Sequence, residues 1–164
     1  VELRLVDFDL RRAIEDVALL ASPEAAQQGV RIETHLSREP LPVRADADLI
    51  KQALLNVVLN GVQAMSGGGV LSLTSGQLDT AATIEVRDQG SGIPPEVRDK
   101  VFNLYFSTKK AGSGIGLAMS YRVLQLHNGA LDFVTEMGRG TTFRLILPLA
   151  GEQQHEGAEA ITQM

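Results

Sequence analysis

Apolar residues in this chain recur with two different periods, and the changes of period divide it into elements. "VELRLVDF" alternates through Leu3, Leu5 and Phe8, a short strand pattern. Asp9 can cap a following helix whose apolar positions are Ile14, Val17, Ala18 and Ala21. Ser22-Pro23 reads either as a fresh cap with proline at the first helical position or as a kink, and Gly29 closes the segment. "VRIETHL" (30–36) is a strand and "SREPLP" a loop. Asp46 caps a second helix with Leu49, Ala53, Leu54, Val57, Val58 and Gly61 on its apolar face, stopped by Gly67-Gly68-Gly69. "VLSLTSG" (70–76) and "ATIEVRD" (82–88) form a hairpin. From Gly90 to Ser113 the chain turns to Gly, Pro, Lys and Ser, with a short helical piece near Pro95–Phe102. Loops this long inside a compact domain are functional lids or disordered. A helix from about Gly114 to His127 and a second hairpin, "ALDFVTE" with "TTFRLILPL", complete the pattern. The expected class is α+β: a two-layer sandwich of a mixed, mostly antiparallel sheet with helices on one face and a long loop at an edge.

Composition narrows the chemistry. With 164 residues, 44% of them hydrophobic, the chain suits one globular domain. That domain is placed at residues 1–150, with a loose polar tail at 151–164. The absence of cysteine excludes disulfides, thiolate metal sites and cysteine nucleophiles. A net charge of -5 argues against nucleic-acid binding. No apolar run reaches a membrane span and no signal peptide is evident, so no membrane contact is expected of this domain. The start at Val1, inside an organised pattern, suggests a piece of a longer protein; this piece is expected in the cytoplasm, whether or not its parent is membrane-anchored.

Asn56 and Asn60 lie four residues apart on one face of the second helix, amid an apolar run where an unpartnered amide is costly. They could bridge backbone groups in the core or face a ligand. Four glycine clusters accompany them: "DQGSGIP" (88–94), "GSGIGL" (112–117), "HNG" (127–129) and "GRGT" (138–141). The Walker pattern is absent, and "GSGIGL" is not a dinucleotide fingerprint because no strand leads directly into it. It does open a helix, whose N-terminal N–H groups suit an anion. Asp88 ends a strand just before Gly90 and Gly92; its carboxylate could accept from an amino group while the glycines admit a flat ligand, or it could be a solvated turn residue.

"QALLNVVLNGVQAM", "DQGSGIP", "FNLYFSTK", "GSGIGLAMS" and "GRGTTF", in that order and spacing, resemble the N, G1, F, G2 and G3 boxes of the catalytic, ATP-binding domain of sensor histidine kinases. That domain belongs to the GHKL superfamily with type II topoisomerases, mismatch-repair ATPases and heat-shock-90 chaperones. The likeness runs from residue 7 to 149, and "NGVQAM" with "YFSTK" is most similar to nitrogen-regulation and C4-dicarboxylate sensors. The resemblance implies the Bergerat fold, with ATP held between sheet and helices under a mobile lid. It implies that Asn60 ligates Mg²⁺ and that Asn56 lines the same pocket. A carboxamide oxygen suits this hard cation and adds no charge beside a polyanion. It implies that Asp88 reads the adenine amine, Gly92 lies against the ring and Thr141 helps hold the base. Gly112, Gly114 and Gly116 match the lid hinge and helix start, and Lys109 a phosphate contact, with Lys110 a weaker candidate. Gly90, Ile93, Ser113 and Leu117 fall in the same boxes as ATP-contacting positions. Phe102 and Phe106 match lid aromatics expected to pack the lid or face a partner domain.

The sequence departs from the family pattern in places. The F box commonly reads F-x-P-F-F-T-T-K, but here Leu104 replaces the proline, Tyr105 an aromatic and Ser107 a threonine, which loosens the lid backbone. Gly61 stands where alanine is usual, at a cost of up to about 1 kcal/mol. "HNG" varies a common H-G-G.

The resemblance implies a domain that binds Mg-ATP and donates its γ-phosphoryl group to a histidine on a separate dimerisation and phosphotransfer domain of the same parent, and thence to a response regulator. None of the three histidines here has the setting of an acceptor: His35 falls in a strand, His127 at a helix end suited to capping, and His155 in the polar tail. No catalytic residue is therefore assigned beyond the Lys109 contact. Other readings stay open. A self-sufficient GHKL ATPase needs a glutamate base where Asn56 stands. A protein-serine kinase of the anti-sigma type shares the boxes. So does a nucleotide-binding regulatory module without transfer activity.

Overall fold

A computed structural model describes residues 2–104, 106 and 116–151. Strand β1 (Leu5–Asp9) runs directly into helix α1 (Leu10–Gln27), and the junction is fixed by one carboxylate. Asp9 accepts from the Arg11 N–H at 3.0 Å and from the Leu41 N–H at 3.1 Å, and the Arg11 guanidinium closes on it at 2.7 Å. That guanidinium beside it, reinforced by the two N–H groups, pulls the Asp9 carboxyl down to about 2. Helix α1 passes through Pro23 without a second start. Ser22 Oγ donates to the Ala18 carbonyl at 2.8 Å, so the expected alternative of a fresh cap is not taken. Leu10, Ala13, Ile14, Val17, Ala21 and Ala25 form its buried stripe.

Strand β2 (Val30–His35) follows the expected pattern, but β3 (Pro42–Asp46) was not anticipated. It pairs antiparallel with β1 as a separate two-stranded sheet, burying Val43 and Ala45 while Pro42 and Arg44 face out. Five residues that begin on a proline carry too short an alternation to stand out. Asp46 ends β3 and caps α2 (Ala47–Gln63), its Oδ1 accepting from Leu49 N–H at 3.2 Å. The Arg4 N–H and then the Leu49 N–H lower the Asp46 carboxyl from its ordinary value.

The main sheet has the order β2-β4-β5-β7-β6, with β4 Gly69–Leu78, β5 Ala81–Arg87, β6 Ala130–Glu136 and β7 Gly140–Pro148. Only β2 and β4 are parallel; the two expected hairpins are present. Leu73 opposite Val86, Val86 opposite Phe143 and Ile84 opposite Leu145 place one continuous apolar row under the helices. The other face is polar, with Arg144 paired to Asp132 across β6 and β7 at 3.1 Å. Helix α2 lies between α1 and α3 (Gly116–Leu126) and is the most apolar of the three, with Ile50, Leu54, Val57, Val58 and Val62 fully buried.

The short helical piece is a 3-10 turn at Pro95–Lys100. Phe102 then packs inward: its ring stacks on Tyr121 of α3 at 5.0 Å and meets Phe133 of β6 edge-on at 5.7 Å, contacts of about 0.5–1.5 kcal/mol each. Phe106 also packs against the core. Helix α3 ends with Asn128 at φ +58°, a left-handed position that asparagine tolerates, which accounts for "HNG" in place of H-G-G. Among the described residues no helix is long and apolar enough to cross a membrane.

Candidate functional site

One wall of the site is the polar edge of α2. Asn56 and Asn60 are half-buried, one turn apart, rather than sunk in the core. Asn56 Nδ2 donates to the Gly116 carbonyl at 3.3 Å, so the amide meets the first residue of α3. A Cβ on Gly116 would sit 3.6 Å from Asn56 Cγ, in ordinary contact. Leu117 follows on the same turn and is half-buried.

The other wall begins where β5 ends. Asp88 is 4% exposed, and its Oδ1 accepts from the Gly90 N–H at 2.9 Å and the Thr141 N–H at 3.1 Å. Its own N–H donates to the Thr141 carbonyl at 2.9 Å. Two backbone N–H groups thus hold the carboxylate and a third bond anchors the Asp88 backbone, and a group held this way is pre-organised to receive a donor. Close approach of β7 makes this possible. Gly140 has φ +127°, and the Asp88 carbonyl occupies the space a Cβ would need there. The two walls adjoin: a Cβ on Gly61, next to Asn60, would lie 3.7 Å from Asp88 Cβ.

The loop after Asp88 is tied to the β6–β7 turn. The Ile93 N–H donates to Thr135 Oγ1 at 2.9 Å, and Arg98 Nε donates to the Ile93 carbonyl at 2.9 Å. Thr135 Oγ1 and Thr141 Oγ1 are 2.8 Å apart, linking that loop to the strand carrying Thr141. Gly92, at φ +86°, leaves 2.7 Å between the Glu136 carbonyl and the place its Cβ would take, so any side chain here meets backbone. Thr135 was absent from the expected set. Its inward position in the alternation of "ALDFVTE", shared with Leu131 and Phe133, was the available signal.

The structure therefore brings together Asn56, Asn60, Gly116 and Leu117 from the helices, and Asp88, Gly90, Gly92, Ile93 and Thr141 from the sheet side. Lys109, Lys110, Gly112, Ser113, Gly114 and His155 lie outside the described residues. His35 is exposed on β2 near Glu33. His127 bonds the last turn of α3 through the Val123 carbonyl, as its place at a helix end suggests, but it is also buried and its other ring nitrogen accepts from the Asp46 N–H. Among the described residues no group of three or more His, Asp or Glu could hold a metal ion.

The family model described as "Histidine kinase-, DNA gyrase B-, and HSP90-like ATPase" matches residues 45–151. The chain belongs to this ATPase family. As an ATPase-family domain it is 36% identical over 141 residues to the Signal transduction histidine-protein kinase AtoS of Escherichia coli (strain K12), covering 85% of the chain and 23% of that protein. It is 34% identical to Sensor histidine kinase ZraS of the same strain, covering 90% and 32%. The chain thus spans about a quarter to a third of these curated relatives. Among solved structures, full-length ShkA in complex with AMPPNP superposes with a TM-score of 0.82 at 30% identity, over 92% of this chain and 32% of that one. The catalytic domain of histidine kinase ThkA superposes with a TM-score of 0.80 at 28% identity, over 91% and 98%. The fold class drawn from the sequence, and the likeness to histidine-kinase ATP-binding domains, are borne out.

Proposed function

We propose that this chain is the ATP-binding catalytic domain of a two-component sensor histidine kinase. The supporting observation is the backbone-pinned Asp88 carboxylate packed beside α2 at Gly61, the neighbour of Asn60, within an ATPase family. Asp88 accepts from the adenine amine, and Thr141, hydrogen-bonded to Thr135, shapes the same corner. Gly90, Gly92 and Ile93 form the floor beneath the base. Asn60 offers a neutral amide oxygen to Mg²⁺, and Asn56 and Leu117 line the phosphate end with Gly116. The donor set fits that ion: Mg²⁺ favours oxygen, keeps several waters and is commonly held by one or two protein groups plus phosphates. When bound, it neutralises phosphate charge. Lys109 and the loop residues Gly112, Ser113 and Gly114 belong to this proposal as phosphate contacts.

The chain supplies binding and alignment, which is most of what phosphoryl transfer demands. The acceptor histidine belongs to a dimerisation and phosphotransfer domain of the parent, and the phosphate passes on to a response regulator. A solved neighbour, ThkA, is in complex with response regulator protein TrrA. The domain proper is placed at 1–150, the tail at 151–164, the location in the cytoplasm, and the subfamily near the nitrogen-regulation and C4-dicarboxylate sensors. Incubating the chain with γ-labelled ATP, Mg²⁺ and the parent's histidine-bearing domain should place acid-labile phosphate on that domain alone. Acid-stable label on serine, or no transfer despite ATP binding, contradicts the proposal.

A further inference from the structure

We propose that His127 is a positioning residue for the nucleotide site, fastening the far end of α3 to the start of α2 so that Gly116 is held against Asn56. This rests on the reading of the preceding subsection. The ring is 5% exposed. Its Nδ1 lies 2.7 Å from the Val123 carbonyl, which can only accept, so Nδ1 carries the proton. Nε2 is then an acceptor, and it receives the Asp46 N–H at 3.0 Å. The ring thus uses both nitrogens. Asp46 is the N-cap residue of α2, held in turn by the Arg4 and Leu49 N–H groups. One ring therefore spans the last turn of α3 and the first turn of the helix carrying Asn56 and Asn60. A residue that only capped α3 would need the Val123 bond and not the Asp46 bond.

Two further contacts complete the seam between the helices. The buried Ser120 Oγ lies 2.8 Å from the Ala53 carbonyl and 3.0 Å from the Gly116 carbonyl, and Asn56 Nδ2 donates to that same Gly116 carbonyl. Ser120 is the natural pivot. At about 1.5 Å per residue, Gly116 lies about 6 Å to one side of it and His127 about 10 Å to the other. Releasing the His127 end by about 1 Å swings Gly116 by about 0.6 Å, past the roughly 0.5 Å within which a binding constellation must be held.

Three variants of the full chain test this: His127→Gln, whose amide oxygen can replace Nε2 and accept from Asp46; His127→Asn, which reaches only Val123; and His127→Leu. Each is titrated with a fluorescent adenine nucleotide and Mg²⁺, well below its own midpoint of thermal unfolding. The expected result is binding by His127→Gln within about twofold of wild type, and binding by His127→Asn weakened by about fivefold or more. His127→Leu should be at least as weak as His127→Asn; if it does not fold, the Gln and Asn pair decides. Equal affinities for His127→Asn and His127→Gln, with wild type binding normally, overturn the tether alone. A wild-type chain that binds no nucleotide overturns the nucleotide-site reading and the tether with it.

Discussion

Replacing Asp88 with asparagine separates the recognition role of this residue from its structural one. An asparagine can turn its oxygen toward the Gly90 and Thr141 N–H groups, now bonded to Asp88 Oδ1 at 2.9 Å and 3.1 Å. Its NH2 then takes the place of the second carboxylate oxygen. The fold loses charge assistance on two bonds but leaves neither donor orphaned. The expected cost is about 1 kcal/mol, a shift of roughly 2–4 °C in unfolding midpoint for a domain of this size. The ligand side is affected more. The adenine amine would face a donor where it had a charged acceptor, and hydrogen bonds to charged groups contribute about 1.5–3 kcal/mol. Affinity for ATP should fall by roughly 10- to 150-fold. The sign of base preference should also change. The 6-oxo group of inosine triphosphate accepts, so Asp88→Asn should bind that nucleotide at least as well as ATP, while wild type prefers ATP. Competition titrations with a fluorescent nucleotide, alongside thermal melts, measure both. Unchanged ATP affinity, or a loss equal for both nucleotides, would refute the assignment of Asp88 as the base reader.

Other consequences follow from single contacts. Asp9, held down to about 2 chiefly by the Arg11 guanidinium, is deprotonated more readily when folded than its ordinary value of 3.8 allows. Its contribution, about 1–2 kcal/mol after solvent screening, is complete above pH 4 and is lost as pH falls through about 2. Chemical denaturation between pH 5 and 2 should show a smaller acid loss for Asp9→Asn. At Gly61 an added Cβ would lie 2.6 Å from Leu71 Cδ1, so Gly61→Ala sets a helix gain of about 1 kcal/mol against overpacking of about 1–3 kcal/mol. Thermal melts should show Gly61→Ala destabilised and Gly61→Ala with Leu71→Val partly restored. The chain incubated alone with labelled ATP should acquire no acid-labile phosphate; label on it would require an acceptor histidine here.

Much of the scaffold could be read from periodicity. The caps at Asp9 and Asp46, the apolar face of α2 and both hairpins are local features that residue spacing encodes. What escaped depends on distant partners. Strand β3 exists because β1 lies beside it, and its five residues carry too little pattern of their own. The parallel pairing of β2 with β4 has no local signal. Gly61 read as a weak point in a helix, whereas its missing side chain leaves room for Leu71 and lets α2 approach Asp88. His127 read as a helix cap because one of its bonds is local; the other crosses 81 positions to Asp46. In the site, Asn60 and Asp88 were legible only jointly, through the order of the boxes. Thr135 matched no box and is visible only as the link between Ile93 and Thr141.

The most direct test is calorimetric titration of the chain and of Asn60→Ala with ATP, each with and without Mg²⁺. Saturable 1:1 binding is predicted for the wild-type chain, in the micromolar range and strengthened by Mg²⁺, with that strengthening gone in Asn60→Ala. Absence of ATP binding, or a Mg²⁺ effect of equal size in both proteins, would contradict it.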